Sequence, residues 1–169
     1  CTVEKKGSWS ATGASAEAES SRFTDDQEES ELTAGLMWQT LKRRSDRYGL
    51  GAEVTSFVPL SHDVELMWVT ISNTGTEKVT FTPVAAVPIY GRSADKIRDH
   101  RHVTSLLHRI ETTEDGVLVK PTLSFDERGH QKNEITYFVC GVDGKGERPE
   151  AFYPVAEDYI GEGGSYTHP

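Results

Sequence analysis

The chain has 169 residues, enough for one domain with a sizeable core. Hydrophobic residues make up 36% and charged residues 27%, which excludes a disordered chain, and no run approaches the roughly 18 apolar residues of a membrane helix. With 18 Lys and Arg against 27 Asp and Glu the formal net charge is −9, so neither a nucleic-acid binder nor a basic membrane anchor is expected.

Fifteen Gly and seven Pro punctuate the sequence and favour many short strands over a few long helices. The chain starts on Cys1 rather than Met and ends in the loop-like stretch Gly161–Pro169, which reads as a piece of a longer protein. A lipid-bearing N-terminal Cys is the alternative reading of Cys1. Two cysteines, Cys1 and Cys140, imply no disulfide framework, and a reducing, cytoplasmic compartment is the default. Cys140 closes the apolar run Tyr137-Phe138-Val139-Cys140 and is expected to be a buried free thiol.

Residues 1–30 read as a polar, acidic lead-in. Ala16 to Ser21 is expected to be a solvated connector or an edge. Asp25, Asp26, Glu28, Glu29 and Glu31 lack the ligand spacing and the glycine turn of a calcium loop, so a solvated, acidic hairpin end is expected. From Leu32 the pattern has period two, and Leu32, Ala34, Leu36, Trp38 and Thr40 are expected on one face of one strand. The region Tyr48-Gly49-Leu50-Gly51 is a turn that opens a strand from Ala52 to Val58, closed by Pro59. A β-branched run, Val64 to Ile71, ends at the turn signal Asn73-Thr74-Gly75. A fourth run, Lys78 to Ala86, contains Pro83 and is expected to be an edge or bulged strand.

Residues 91–101 read as a charged loop or a short turn of helix. Asp115-Gly116 is a hairpin signal before the strand Val117 to Lys120, and a hairpin needs a strand on its near side, so 102–112 is read as that strand. Phe125 to His130 is expected to be a polar loop, Ile135 to Val142 a strand, 143–149 a loop and 150–160 the place of a short helix. The sum is an all-β, mainly antiparallel single domain over 1–169 with little helix.

The densest polar cluster runs from Arg92 to His102 and holds three Arg, one Lys and two His in an otherwise acidic chain. Arg92, Arg98 and Arg101 offer planar donor forks suited to carboxylate, phosphate or vicinal hydroxyls. His100 and His102 point to one side of an extended chain but lack a third clear metal ligand, so no metal is expected. Salt bridging among Arg98, Asp99 and Arg101 is the simpler alternative, and Asp95 belongs to the same cluster. Tyr90 beside the cluster is a candidate sugar contact, whereas Trp38 and Trp68, within alternating apolar strands, are expected to pack in the core. Glu157, Asp158 and Glu162 are the carboxylates available for glycosidic acid–base work, and solvated loop carboxylates are the simpler reading. No phosphate-binding glycine loop and no Gly-x-Ser-x-Gly elbow is present.

The stretch from Thr82-Pro83-Val84-Ala85-Ala86-Val87-Pro88-Ile89-Tyr90-Gly91-Arg92-Ser93-Ala94-Asp95 through Arg98-Asp99-His100-Arg101-His102-Val103-Thr104-Ser105-Leu106-Leu107-His108-Arg109 closely resembles the N-terminal region of the cellobiose and chitobiose phosphorylases, glycoside hydrolase family 94 (formerly glycosyltransferase family 36). Lys120 to His130, Phe152-Tyr153-Pro154 and Asp158 to Ser165 resemble the same family, and the resemblance covers about residues 30–166. It implies a galactose-mutarotase-like β-supersandwich that precedes a helical linker and an (α/α)6-barrel. In the family that barrel carries the general-acid Asp, so no catalytic residue is assigned to this chain. The resemblance also implies a homodimer in which a loop of one subunit's N-terminal domain reaches the partner's active site. The candidate for that loop is Tyr90, Arg92, Asp95, Arg98, Asp99, His100, Arg101 and His102. The implied activity is phosphorolysis of a β-linked sugar to a sugar 1-phosphate, with inorganic phosphate as co-substrate and no cofactor. A free-standing carbohydrate-binding module is the alternative. A self-sufficient mutarotase-like epimerase would need an acid–base pair such as His130 with Glu162.

Overall fold

The computed structural model describes residues 2–4, 7–24, 27–89, 108–126, 129–166 and 168. Cys1–Ala85 together with Ser165–Pro169 form one compact unit, and Ala86–Gly164 form a second. Among the described residues all strand pairing is antiparallel and the helices are short, in keeping with the all-β fold that the punctuated composition predicts.

The first unit is built on a four-stranded meander of β3 (Glu29–Gly35), β4 (Trp38–Ser45), β5 (Leu50–Phe57) and β6 (Leu66–Asn73), in sheet order β3-β4-β5-β6. A second, small sheet combines β1 (Thr2–Val3), β2 (Gly7–Ser8) and β7 (Phe81–Thr82) in the order β2-β1-β7. Of the run expected from Lys78 to Ala86, only Phe81–Thr82 enters a ladder, because Pro83 has no N–H to donate. The helix α1 (Ala16–Ser20) occupies the stretch expected to be a connector or an edge. Its entry is fixed by Ser15, whose hydroxyl accepts the Ala18 N–H at 3.1 Å, an N-cap that the sequence carries in Ser-x-x-Ala form.

The single strand expected over Leu32–Thr40 is instead a hairpin that turns at Leu36-Met37. Gly35 pairs with Trp38 and Thr33 with Thr40 across it. A two-residue loop shifts the parity of the alternation. Leu32 and Ala34 therefore share a face with Gln39 and Leu41, while Trp38 and Thr40 share the opposite face with Thr33 and Gly35. The expectation that Leu32, Ala34, Trp38 and Thr40 line one face is corrected by this register. Between β4 and β5 the chain reverses through Asp46 to Gly49, where Gly49 takes φ +68° and its N–H donates to the Ser45 carbonyl at 2.9 Å. A side chain would be strained in that left-handed conformation.

Register assigns the two faces of the meander. One face bears Leu32 and Leu41, Leu50, Ala52 and Val54, and Met67, Val69 and Ile71. Part of it is covered by Val3, Trp9 and Tyr48, which form the core with Leu50 and Ala52, backed by Ala11, Ile71, Val79 and Phe81. Val3 and Trp9 thus join the core from a stretch of sequence that is polar overall. The other face bears Trp38, Phe57 and Leu66 at one end, a row of Thr33, Thr40, Thr55 and Trp68 next, and then Glu31, Lys42 and Glu53. We call these the core face and the outer face.

The second unit contains a sheet of β8 (His108–Thr112), β9 (Gly116–Pro121) and β12 (Tyr137–Cys140) in the order β12-β9-β8. The hairpin signal Asp115-Gly116 is where β8 turns into β9, and the Thr113 hydroxyl accepts the Gly116 N–H at 3.2 Å to close it. Arg148 bridges Asp115 at 2.6 Å and Glu114 at 3.5 Å from the far side of that turn. Phe125 to His130, expected to be a polar loop, belongs to a second hairpin of β10 (Leu123–Asp126) and β11 (Gly129–Lys132), with Asp126 paired to Gly129. The helix α2 (Ala156–Ile160) lies within the span expected to hold one. Cys140 is exposed, not the buried thiol expected from its apolar neighbours, because residues of a half-open strand alternate in exposure and Cys140 takes an outward position. Among the described residues, no helix is long and apolar enough to cross a membrane.

Candidate functional site

The loop singled out from the sequence, Tyr90, Arg92, Asp95, Arg98, Asp99, His100, Arg101 and His102, lies outside the described residues. Its described borders are Ile89 on one side and the first residue of β8, His108, on the other. Of the carboxylates considered for acid–base work, Glu157 and Asp158 sit on α2 and Glu162 follows it, and all three are exposed to solvent. Among the described residues no group of three or more His, Cys, Asp or Glu is arranged to hold a metal ion.

Two clusters in the first unit combine aromatic and polar groups. The first is the polar pin at the edge of the core. Trp9, only 4% exposed, donates its Nε1–H to both carboxylate oxygens of Glu28 at 3.1 Å. Nη2 of Arg43 donates to Oε2 of the same carboxylate at 2.5 Å. Burial raises the Glu28 pKa, but the Ser45 hydroxyl, Arg43 and Trp9 favour the charged form and together hold it below its ordinary 4.5. Ser45 is buried and meets no neighbour with full hydrogen-bond geometry, yet its hydroxyl lies close enough to the carboxylate to contribute. Next to this pin the Tyr48 hydroxyl donates to the Ser8 carbonyl at 3.1 Å, and Glu17 of α1 pairs with Arg47 and Tyr48. The Trp9 and Tyr48 rings lie 6.4 Å apart. A carboxylate held by an indole and a guanidinium has its lone pairs occupied, so this cluster fixes the start of β3 to the core and is not arranged for proton transfer. Glu28, expected within a solvated acidic end, is a structural acceptor instead.

The second cluster is on the outer face. Trp38 is 43% exposed and Trp68 is 72% exposed, which corrects the expectation that both pack in the core. Their apolar neighbours in sequence misled the alternation argument, because the hairpin at Leu36-Met37 moves Trp38 to the face opposite Leu32. The indole of Trp38 lies over the backbone of Gly35, so closely that any side chain at residue 35 would collide with Nε1. An aromatic ring paired across from a glycine on an edge strand shields that glycine's backbone. Beside it, Leu36, Met37, Trp38, Thr55, Phe57, Val58, Pro59 and Leu60 line an open, mainly apolar cleft of about 470 Å³. The Thr40 and Thr55 hydroxyls share a hydrogen bond of 2.9 Å in the next row, and Lys42 pairs with Glu53 at 3.7 Å beyond them. The outer face therefore grades from aromatic through hydroxyl to charged. The sequence signal that could have marked it is Trp38, Thr40 and Lys42 alternating on one strand, once the turn at Leu36-Met37 is placed.

Comparison with curated proteins gives no match to this chain. Comparison with family models does: the one described as "Glycosyl hydrolase 94, supersandwich domain" matches residues 3–169. With nearly the whole length matched, the chain belongs to the glycosyl hydrolase 94 family as its supersandwich domain.

Proposed function

We propose that the chain is the non-catalytic N-terminal domain of a glycoside phosphorylase, working with its own (α/α)6-barrel domain. The observation that carries this reading is the supersandwich-domain match over residues 3–169. In the proposed reaction, inorganic phosphate attacks the anomeric carbon of a β-linked sugar with inversion while a general acid on the barrel protonates the leaving oxygen. Phosphate is itself the nucleophile, so one protein acid is sufficient and a second carboxylate is not needed. The products are a sugar 1-phosphate and the shortened acceptor.

The proposed part played by this domain is to hold a homodimer and to complete the acceptor-sugar site with the loop from Tyr90 to His102. The arginine forks of Arg98 and Arg101 suit vicinal hydroxyls on a sugar. The test uses the full-length gene product, inorganic phosphate and a panel of β-linked disaccharides. Phosphate-dependent release of sugar 1-phosphate is expected from the full-length protein and none from the 169-residue chain. Hydrolysis with no phosphate dependence would overturn the reading. In the full-length enzyme, Arg98→Ala and Arg101→Ala should each raise KM for the acceptor in the synthetic direction about tenfold, the loss of roughly one charged hydrogen bond. The unfolding midpoint should not move. Unchanged kinetics in both variants would remove the loop from the site.

A further inference from the structure

We propose that β6 is an interaction edge at which a second copy of this chain pairs, strand against strand, to join two four-stranded sheets into one. The pairing needs neither the reaction nor the Tyr90–His102 loop of the proposed function.

A strand at the edge of a sheet presents a row of N–H and C=O groups ready to pair. Proteins blunt such edges with charge, proline, bulges or shortness. The edges of this chain differ in that respect. Among the described residues, β2 and β7 have two residues each, and β10, β11 and β12 have four each. The edge strand β8 carries Arg109 and Glu111, and the edge strand β3 carries Glu29 and Glu31. The edge strand β6, Leu66-Met67-Trp68-Val69-Thr70-Ile71-Ser72-Asn73, has eight residues, no charge, no proline and an unbroken register with β5.

The register shows which groups face outward. The Thr74 N–H donates to the Gly49 carbonyl at 2.9 Å, and this pair continues the β5–β6 ladder by one step. Bonded and non-bonded pairs alternate along an antiparallel ladder. Ser72, Thr70, Trp68 and Leu66 are therefore bonded to β5, and the backbone groups of Met67, Val69, Ile71 and Asn73 point away from it. No described strand lies on that side.

Backbone groups in such a row take another extended chain, and symmetry names which one. The antiparallel register that engages all four outward residues is self-complementary: Met67 lies opposite Asn73 of the copy, Val69 opposite Ile71, and Thr70 opposite Thr70. No charge opposes another in this register. Opposed residues share a face, so the core face of one copy runs on into that of the other. Met67 and Val69, 54% and 48% exposed in the single chain, gain Asn73 and Ile71 of the copy as neighbours. Each chain has one such edge, so the assembly closes at two copies.

Eight residues a side fall well short of the roughly 20–30 of a standard interface, so a weak dimer is expected, with a Kd on the order of 100 µM. The test is sedimentation of the 169-residue chain across roughly 5 to 500 µM, with hydrogen exchange of the wild-type protein at both ends of that range. The mass should rise toward that of two chains. The amides of Met67, Val69, Ile71 and Asn73 should exchange more slowly at high concentration, and those of β3 should not change. Thr70 is exposed, so Thr70→Lys and Thr70→Glu should both fold. Each puts like charges opposite one another at the two-fold and should weaken the dimer about fivefold or more, and an equal mixture of the two should restore it. The wild-type exchange answers the question even if a variant fails to fold. A monomer at every concentration would overturn the proposal. So would β6 amides that are equally slow throughout, since the edge would then be covered within the chain. Association that both Thr70 variants retain, or a mass beyond two chains, would place the contact elsewhere and overturn it too. No phosphate or sugar enters these measurements, so failure here and failure of the phosphorolysis reading are separate results.

Discussion

The two faces of one sheet answer to different physics. Leu50, Ala52 and Val54 alternate with Gly51, Glu53 and Thr55 along β5, so a single strand supplies both the buried aliphatic surface and the hydroxyl-and-charge surface. The core face gains its stability by removing Leu50 from water under Val3, Trp9 and Tyr48. The outer face leaves the large ring of Trp68 in solvent, where it contributes little to folding. Large apolar residues alone do not mark a core. The residues that share their face do.

The comparison breaks first, and with the largest effect, at Leu50. Leu50→Ala removes a side chain that is 1% exposed and should cost about 2–5 kcal/mol in urea unfolding. Trp68→Ala, a larger truncation, should cost less than about 1 kcal/mol because its ring packs against little. If Trp68→Ala destabilised the chain as much as Leu50→Ala, the outer face would be a core face.

A smaller effect comes from the pin at the sheet edge. Glu28→Gln removes the charge that Arg43 and Trp9 hold and should cost about 1–2 kcal/mol at neutral pH, the worth of a charged hydrogen bond at a half-buried site. The folded pKa of Glu28 lies below the ordinary 4.5, so its contribution is present above about pH 4.5 and is lost as pH falls through the lowered value. The stability gap between wild type and Glu28→Gln should therefore be constant at neutral pH and close in acid. A gap that stayed open well below pH 4 would mean that the carboxylate's charge is not what the indole and guanidinium hold.

Much of this fold is legible in the sequence, and what is not has a common cause. The strands at Leu50–Phe57 and Leu66–Asn73 follow from period-two runs bounded by Pro59 and by Asn73-Thr74-Gly75, because both the alternation and its ends have chemical signals. The turn at Leu36-Met37 has neither glycine nor asparagine, so an unbroken alternation runs through it and hides a change of face. The β10–β11 hairpin reads as a loop because β11, Gly129-His130-Gln131-Lys132, is polar throughout, and the alternation of Leu123 and Phe125 on β10 is too short to mark a strand by itself. The outer-face cluster is hidden in the sequence because Trp38 and Trp68 sit in apolar runs, and only the register shows that both indoles lie on the face opposite Leu32, Met67 and Val69. The Tyr90–His102 loop was found in the opposite way, from composition and family resemblance without any local periodicity.

The smallest expected effect lies in the turn that separates the faces. Met37 has φ +64°, the one described non-glycine residue in the left-handed region, and its carbonyl accepts the Val58 N–H at 2.9 Å. Holding an L-residue there costs about 1–2 kcal/mol, and glycine removes that strain while losing some chain entropy on folding. Met37→Gly should keep the carbonyl hydrogen bond and raise stability by about 0.5–1 kcal/mol, read as a higher urea midpoint with the same slope. A loss of stability would mean that the Met37 side chain, in contact with the cleft, contributes more than its backbone strain costs, and that the turn is held by packing and not by the pairing of Gly35 with Trp38.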